Sequence, residues 1–185
     1  MGTGAFLRSE YLYGPSALHV CTMGRYNSIP WEAASLGTGA TSSVAWPTNN
    51  LAVYVPISIP APFTVARFMI ANASNLTGTV DIGIYNAAGV LLLSTGNSAR
   101  ASASAVQYLD VTNTVFQPGH YYLGLVASST TGTYLGATFS SSTRAALSGP
   151  LQEALGSATL VNPMTPTAYA QTSIFQYGFT QSDTV

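Results

Sequence analysis

The chain contains no lysine. Five arginines set against six acids give a net charge of −1, and only 6% of its 185 residues are charged, where an ordinary soluble domain has about 25%. A few scattered arginines cannot build a groove for phosphates, which excludes nucleic acid and anionic membrane surfaces as partners. Cysteine is nearly as scarce. Cys21 stands alone, which rules out an intramolecular disulfide framework and suits synthesis in a reducing cytoplasm. Long apolar runs are missing too. The longest, residues 51–66, is interrupted by Pro56, Pro60 and Pro62 and is too short to span a bilayer as a helix, so no membrane insertion is expected. The first residues, MGTGAFLRSEYLYG, show no basic stretch leading into an apolar one, and no signal peptide is expected. Phe6 stands where N-myristoylation wants Ser or Thr.

Catalytic and metal-binding signals are equally thin. The acids are Glu10, Glu32, Asp81, Asp110, Glu153 and Asp183. Glycoside hydrolysis needs two carboxylates about 5–9.5 Å apart, and Asp81 with Asp110 is the pair that predicted strands could bring together. Solvent-facing or loop-capping aspartates are the favoured account of both. His19 and Cys21 sit two apart, but His120 is the only other histidine, so a zinc set would be incomplete. No calcium loop and no G-x-S-x-G elbow is present. Gly37-Thr-Gly39 is a fragment of a phosphate loop. Asn72-Ala-Ser74 and Asn75-Leu-Thr77 match the glycosylation triplet, as chance allows in a chain rich in Ser and Thr. The expectation is a non-enzyme with no catalytic residues, cofactor or metal.

What the chain does hold is alternation. Residues 106–127, VQYLDVTNTVFQPGHYYLGLVA, read as two strands joined through Phe116-Gln117-Pro118-Gly119. Pro118 presets φ and Gly119 can take a positive φ, which suits a type II turn. Tyr121, Leu123, Leu125 and Ala127 share one face of the second strand, and His120, Tyr122, Gly124 and Val126 the other. With both faces apolar or aromatic it reads as a central strand. Leu51, Val53, Val55, Ile57 and Ile59 share a face, and Pro56 within that run suggests an edge or a bulge. Residues 65–71 predict a strand, 80–85 and 90–94 a hairpin around Asn86-Ala-Ala-Gly89, and 133–139 and 174–180 further strands. Pro150 followed by Leu151-Gln-Glu-Ala-Leu155 predicts one short helix. Eight short strands without a long helix predict an all-β, two-sheet antiparallel sandwich of jelly-roll type.

Residues 1–48 differ in character: turn-rich, with Pro15, Pro30 and Pro47 blocking helices. They read as an extended N-terminal arm, with residues 49–185 as the sandwich domain. A disordered tail would be poor in aromatics, so Tyr11, Tyr13, Tyr26, Trp31 and Trp46 are candidate anchors on a partner. Low charge in a chain that is 47% hydrophobic points to burial of surface in an assembly, so a homo-oligomer is expected. Tyr54, Tyr85 and Tyr122, with Tyr134, lie on predicted outer faces, where rings could stack on a glycan; cross-strand packing or an interface is the favoured reading.

The runs VYVPISIPAPFTVARFMIAN, VDIGIYNAAGVLLLSTG and FQPGHYYLGL resemble β-sandwich domains of tailed-bacteriophage virion proteins, which occur as head decorations, fibres and tail or baseplate components. The resemblance covers residues 51–127 and brings no catalytic residues with it. It implies a structural virion protein, made in a host cytoplasm, whose partners are other virion proteins. A carbohydrate-binding module that recognises a host surface glycan is the alternative it implies.

Overall fold

A computed structural model describes residues 19–21, 42–138 and 150–180. Among these residues there is no helix; fourteen strands carry the fold. The amino-terminal ones are β1 (His19–Cys21) and β2 (Ser42–Ala45). The body follows as β3 (Leu51–Ile59), β4 (Phe63–Ala71), β5 (Thr79–Asn86), β6 (Leu91–Ser94), β7 (Ser98–Ala99), β8 (Val106–Phe116), β9 (Gly119–Ala127) and β10 (Thr133–Thr138). Then come β11 (Leu151–Ala154), β12 (Thr167–Ala168), β13 (Ser173–Phe175) and β14 (Tyr177–Thr180).

The larger sheet runs β12-β11-β3-β9-β5-β6, with β7 also on β5. A second runs β1-β14-β4-β8 and a third β13-β10-β2. Every pairing is antiparallel. Gln176 joins the two smaller sheets: its N–H donates to Leu135 O and its carbonyl accepts from Ala71 N.

Alternation explains the core. Val53, Val55, Ile57 and Ile59 of β3, Val80, Ile82 and Ile84 of β5, and Leu123 and Leu125 of β9 point inward. They meet Phe63, Val65, Phe68 and Ile70 of β4 with Tyr177 and Phe179 of β14 in one buried cluster. This is a β-sandwich arrangement, and each such side chain withdrawn from water contributes about 1.5–3 kcal/mol. β9 is the central strand expected, between β3 and β5. A bulge between Val65 and Arg67 puts Val65 and Phe68 in the same core, where simple alternation pairs Phe68 with Ala66. Pro56 lies just past the stretch that β11 pairs, which ends at Tyr54. Among the described residues, one flank of β3 is therefore unpaired where a backbone N–H is missing. The β5–β6 hairpin turns at Gly89, whose φ of 80° suits glycine.

Several expectations are corrected. The two strands of residues 106–127 belong to different sheets, β8 pairing with β4 and β9 with β3 and β5. Their connection is an arch across the sandwich, and Gly119 keeps strand geometry as the first residue of β9, so the type II turn is not formed. Residues 151–154 form a strand rather than a helix. Four residues are too few for a helix nucleus to stabilise itself, whereas the flank of β3 offers ready backbone partners from Leu51 to Tyr54.

The boundary at residue 48 also moves. β2 pairs with β10, and Trp46 is 1% exposed in the core. Its ring centroid lies 4.3 Å from that of Phe175 and 5.4 Å from that of Tyr134, and its indole N–H donates to Leu51 O at 3.0 Å. Trp46 is a core residue, not a partner anchor. Tyr11, Tyr13, Tyr26 and Trp31 lie outside the described residues.

Candidate functional site

The outer face of the larger sheet is where aromatic rings could have stacked on a glycan, against the favoured reading of cross-strand packing. Tyr54 of β3 and Tyr85 of β5 do stand together there, edge to face at 5.4 Å. Between them runs β9, where a Cβ on Gly124 would lie 3.0–3.1 Å from the two rings, so glycine is what lets the rings close over the strand. The face is not open, however. Residues 155–166, which we call the strap, cross it and pack Ala158 and Leu160, with Leu155 and Met164, against Tyr54, Tyr85 and Val126. Tyr54 and Tyr85 are 0% exposed and offer no face to a sugar. Tyr122 is half-buried against the same cluster. Tyr134 is also fully buried, in the core.

Two carboxylates hold the strap. Asp81, buried beneath it, accepts Leu160 N on Oδ2 at 2.9 Å and Ser94 Oγ and Thr95 Oγ1 on Oδ1 at 2.6 and 3.2 Å. Glu153 of β11 accepts the Tyr54 hydroxyl at 2.9 Å, Thr165 N at 3.1 Å and Thr165 Oγ1 at 2.7 Å. The Tyr85 hydroxyl donates to Val161 O at 2.8 Å. Burial pushes both phenols well above the ordinary tyrosine range, and for Tyr54 the neighbouring Tyr85 and Glu153 add to it. These carboxylates and hydroxyls together hold one segment down on the sheet.

Asp81 and Asp110 do not form a carboxylate pair. Asp81 alternates with the inward Val80 and Ile82, and Asp110 with Leu109 and Val111, which pack on the same core. The two aspartates therefore sit on outward faces of different sheets, with that core between them. Asp110 is 79% exposed and ion-paired with Arg67.

A second polar centre was not anticipated. Arg100, in the small-residue loop before β8, is buried and lies 3.9 Å over the Tyr134 ring. Its Nε and Nη2 donate to Asn72 Oδ1, Nη1 to the carbonyls of Asn75 and Thr77, and Nη2 also to Thr133 O. Gln107 links Asn72 to the backbone of Ala99 and Ala101. A guanidinium has five N–H groups, and all are directed at these acceptors, so none is left for an anionic ligand. Desolvation lowers the Arg100 pKa; burial pushes Tyr134 up to about 12, which the arginine's charge partly opposes. The Tyr134 hydroxyl is buried without a hydrogen-bond partner among the described residues. A lone arginine amid Ala and Ser was the sequence signal for this centre. Asn72 is buried with its amide engaged, so its triplet is not presented to solvent, whereas Asn75 is exposed.

His120 Nδ1 lies 2.9 Å from Ser58 Oγ at the surface, and no group of three His, Cys, Asp or Glu able to hold a metal occurs among the described residues. No helix among them is long and apolar enough to cross a membrane. The amino-terminal region enters the fold a second time through β1, which adds to the outer edge of β14 in the register His19↔Thr180, Val20↔Phe179, Cys21↔Gly178.

Fold and interior together define the class: an all-β sandwich with a strap-covered outer face and a short amino-terminal strand on one edge. No protein-family model matches the chain, and no curated protein or solved structure is significantly similar to it.

Proposed function

We propose that the protein is a non-enzymatic structural subunit of a phage-like virion, a surface decoration or fibre-like component that joins its assembly through its amino-terminal segment. The observation that carries this reading is the docking of β1 on β14: a short strand of the aromatic-rich segment engages a sheet edge by backbone pairing, as attachment arms do. The sparse charge of the chain supports burial of its surface in contacts. The virion setting draws on the resemblance of residues 51–127, and the anchoring side chains are Tyr11, Tyr13, Tyr26 and Trp31. A jelly-roll-type topology is favoured by the way successive strands cross between sheets, β3 to β4 to β5 and again β8 to β9.

The test compares the full chain with one starting at Ser42, by light scattering and by incorporation into particles. The shortened chain should fold and fail to assemble; equal assembly by both would overturn the proposal. Glycan recognition by Tyr54, Tyr85 and Tyr122 is the weaker reading, because two of the three rings are covered. A glycan array on the intact protein should be blank.

A further inference from the structure

We propose that the β14 edge is the receiving surface for a second copy of this chain, with β1 of one subunit adding to β14 of the next. The inference rests on the assembly reading above and names the contact that performs it. The acceptor strand is anchored in the sandwich by contacts other than β1. All four residues of β14 are buried, its inner flank is paired with β4, and Tyr177 Oη donates to Val53 O and Leu123 O at 3.2 Å. A preorganised edge needs little ordering to accept a strand. The donor is held in place by only three residue pairs, and backbone pairing is the same whichever copy supplies the strand.

Reach permits the exchange. Residues 22–41, twenty in number, separate β1 from β2, and fully extended they would span about 66–72 Å at 3.3–3.6 Å each. A domain of this length is only about 40 Å across, so β1 can leave its own β14 for a neighbour's while β2 stays on β10. Charge raises no barrier. Neither His19–Cys21 nor Tyr177–Thr180 contains an acid, a lysine or an arginine, the residues that commonly guard sheet edges against such pairing. In dilute solution the linker favours self-pairing, but neighbours in an assembly compete at similar effective concentrations. Reciprocal exchange uses every donor and acceptor once and closes the assembly.

The register supplies the test. Position 21 lies directly opposite position 178, and opposed antiparallel residues have Cα atoms about 4.5–5.5 Å apart, within disulfide range. A donor chain keeps Cys21; an acceptor chain carries Cys21→Ser with Gly178→Cys. Full-length forms are co-folded at high concentration, oxidised with diamide and run on a non-reducing gel, with the linked peptides identified by mass spectrometry. A donor–acceptor disulfide as the main covalent product is expected. Should Gly178→Cys fold poorly, His19→Cys and Thr180→Cys, each in a Cys21→Ser background, form the alternative pair. An oligomer by light scattering whose cross-links stay within single chains, when one chain carries both cysteines, would overturn strand exchange and leave the assembly reading standing. A monomer at every concentration would overturn both.

Discussion

Two turn-rich regions flank the regular strands, one before β3 and one after β11, and they join the sandwich in opposite ways. The strap after β11 is held mainly through side chains, by Asp81, Glu153 and Tyr85, and by apolar contacts with Tyr54 and Tyr85. The described residues of the earlier region pair through backbone, β2 on β10 and β1 on β14, with side-chain contacts from Val44, Trp46 and Asn49 beside them. Side-chain pins are specific to one position on one chain. Backbone pairing is generic, and it is the kind of contact that can be traded between copies. Similar composition therefore conceals side-chain pinning on one side and backbone pairing on the other.

The largest expected effect separates the two parts of the earlier region. A chain starting at Ser42 loses β1 but keeps Trp46, and its urea midpoint should change little. A chain starting at Asn49 also loses β2 and the indole, which should cost at least about 3–5 kcal/mol, a large share of a domain's total stability. Near-equal stability of the two would erase the distinction between β2 with Trp46 as core and β1 as an added edge strand. Next comes Asp81→Ala, which removes the acceptor of Leu160 N and of the Ser94 hydroxyl, while the Thr95 hydroxyl keeps Gly96 O. It should cost about 3 kcal/mol, while Asp110→Asn, at an exposed ion pair, should stay within about 1 kcal/mol. Chemical denaturation of both variants reads the contrast, and equal losses would show that the strap is not held through Asp81.

Gly124→Ala probes the same cover from below. Its Cβ would press on the Tyr54 and Tyr85 rings, and overpacking of this kind costs about 1–3 kcal/mol. A calorimetric midpoint equal to that of the unaltered protein would mean the rings give way freely. The smallest effect is the pH dependence. Tyr54 and Tyr85 ionise well above the ordinary range when folded but near 10 when unfolded. Their contribution is full below pH 10 and is lost as pH rises above it, because the unfolded chain releases the proton first. By pH 11 this amounts to about 1.4 kcal/mol for each tyrosine. Tyr54→Phe should flatten the fall in melting temperature between pH 9 and 11, and an unchanged slope would assign the fall to other groups.

Much of the frame was legible because period-2 alternation is a local signal. The inward faces of β3, β5 and β9 and the Gly89 hairpin follow from it directly. The strap was not legible. Its pins join residues 79 and 12 apart in sequence, Asp81 to Leu160 and Glu153 to Thr165, and nothing in the local pattern of either end records the other. Leu151–Ala154 was misread for a related reason: Pro150 and Glu153 suit a helix start, but the open flank of β3 outweighed local preference. Trp46 carries a subtler lesson. An aromatic in turn-rich sequence suits an anchor on another molecule, yet the same ring fills a gap beside Phe175 and Tyr134 in its own core. The Arg100 centre needs Asn72, Thr77 and Thr133 to converge, which only tertiary structure reveals.

The placement of β14 beside β4 has a consequence for birth on the ribosome. Phe68 pairs with Phe179 across that boundary, more than a hundred residues later in the chain. At a synthesis rate of about 5–20 residues per second, β4 waits on the order of 5–20 s before its partner strand is made. Throughout that interval its flank and the aromatic interior behind it stand open to other nascent chains. Topologies with such distant partners also fold slowly, in about milliseconds to seconds. Yield in a producing cell should therefore depend more on translation speed and chaperone supply than on the stability of the finished protein.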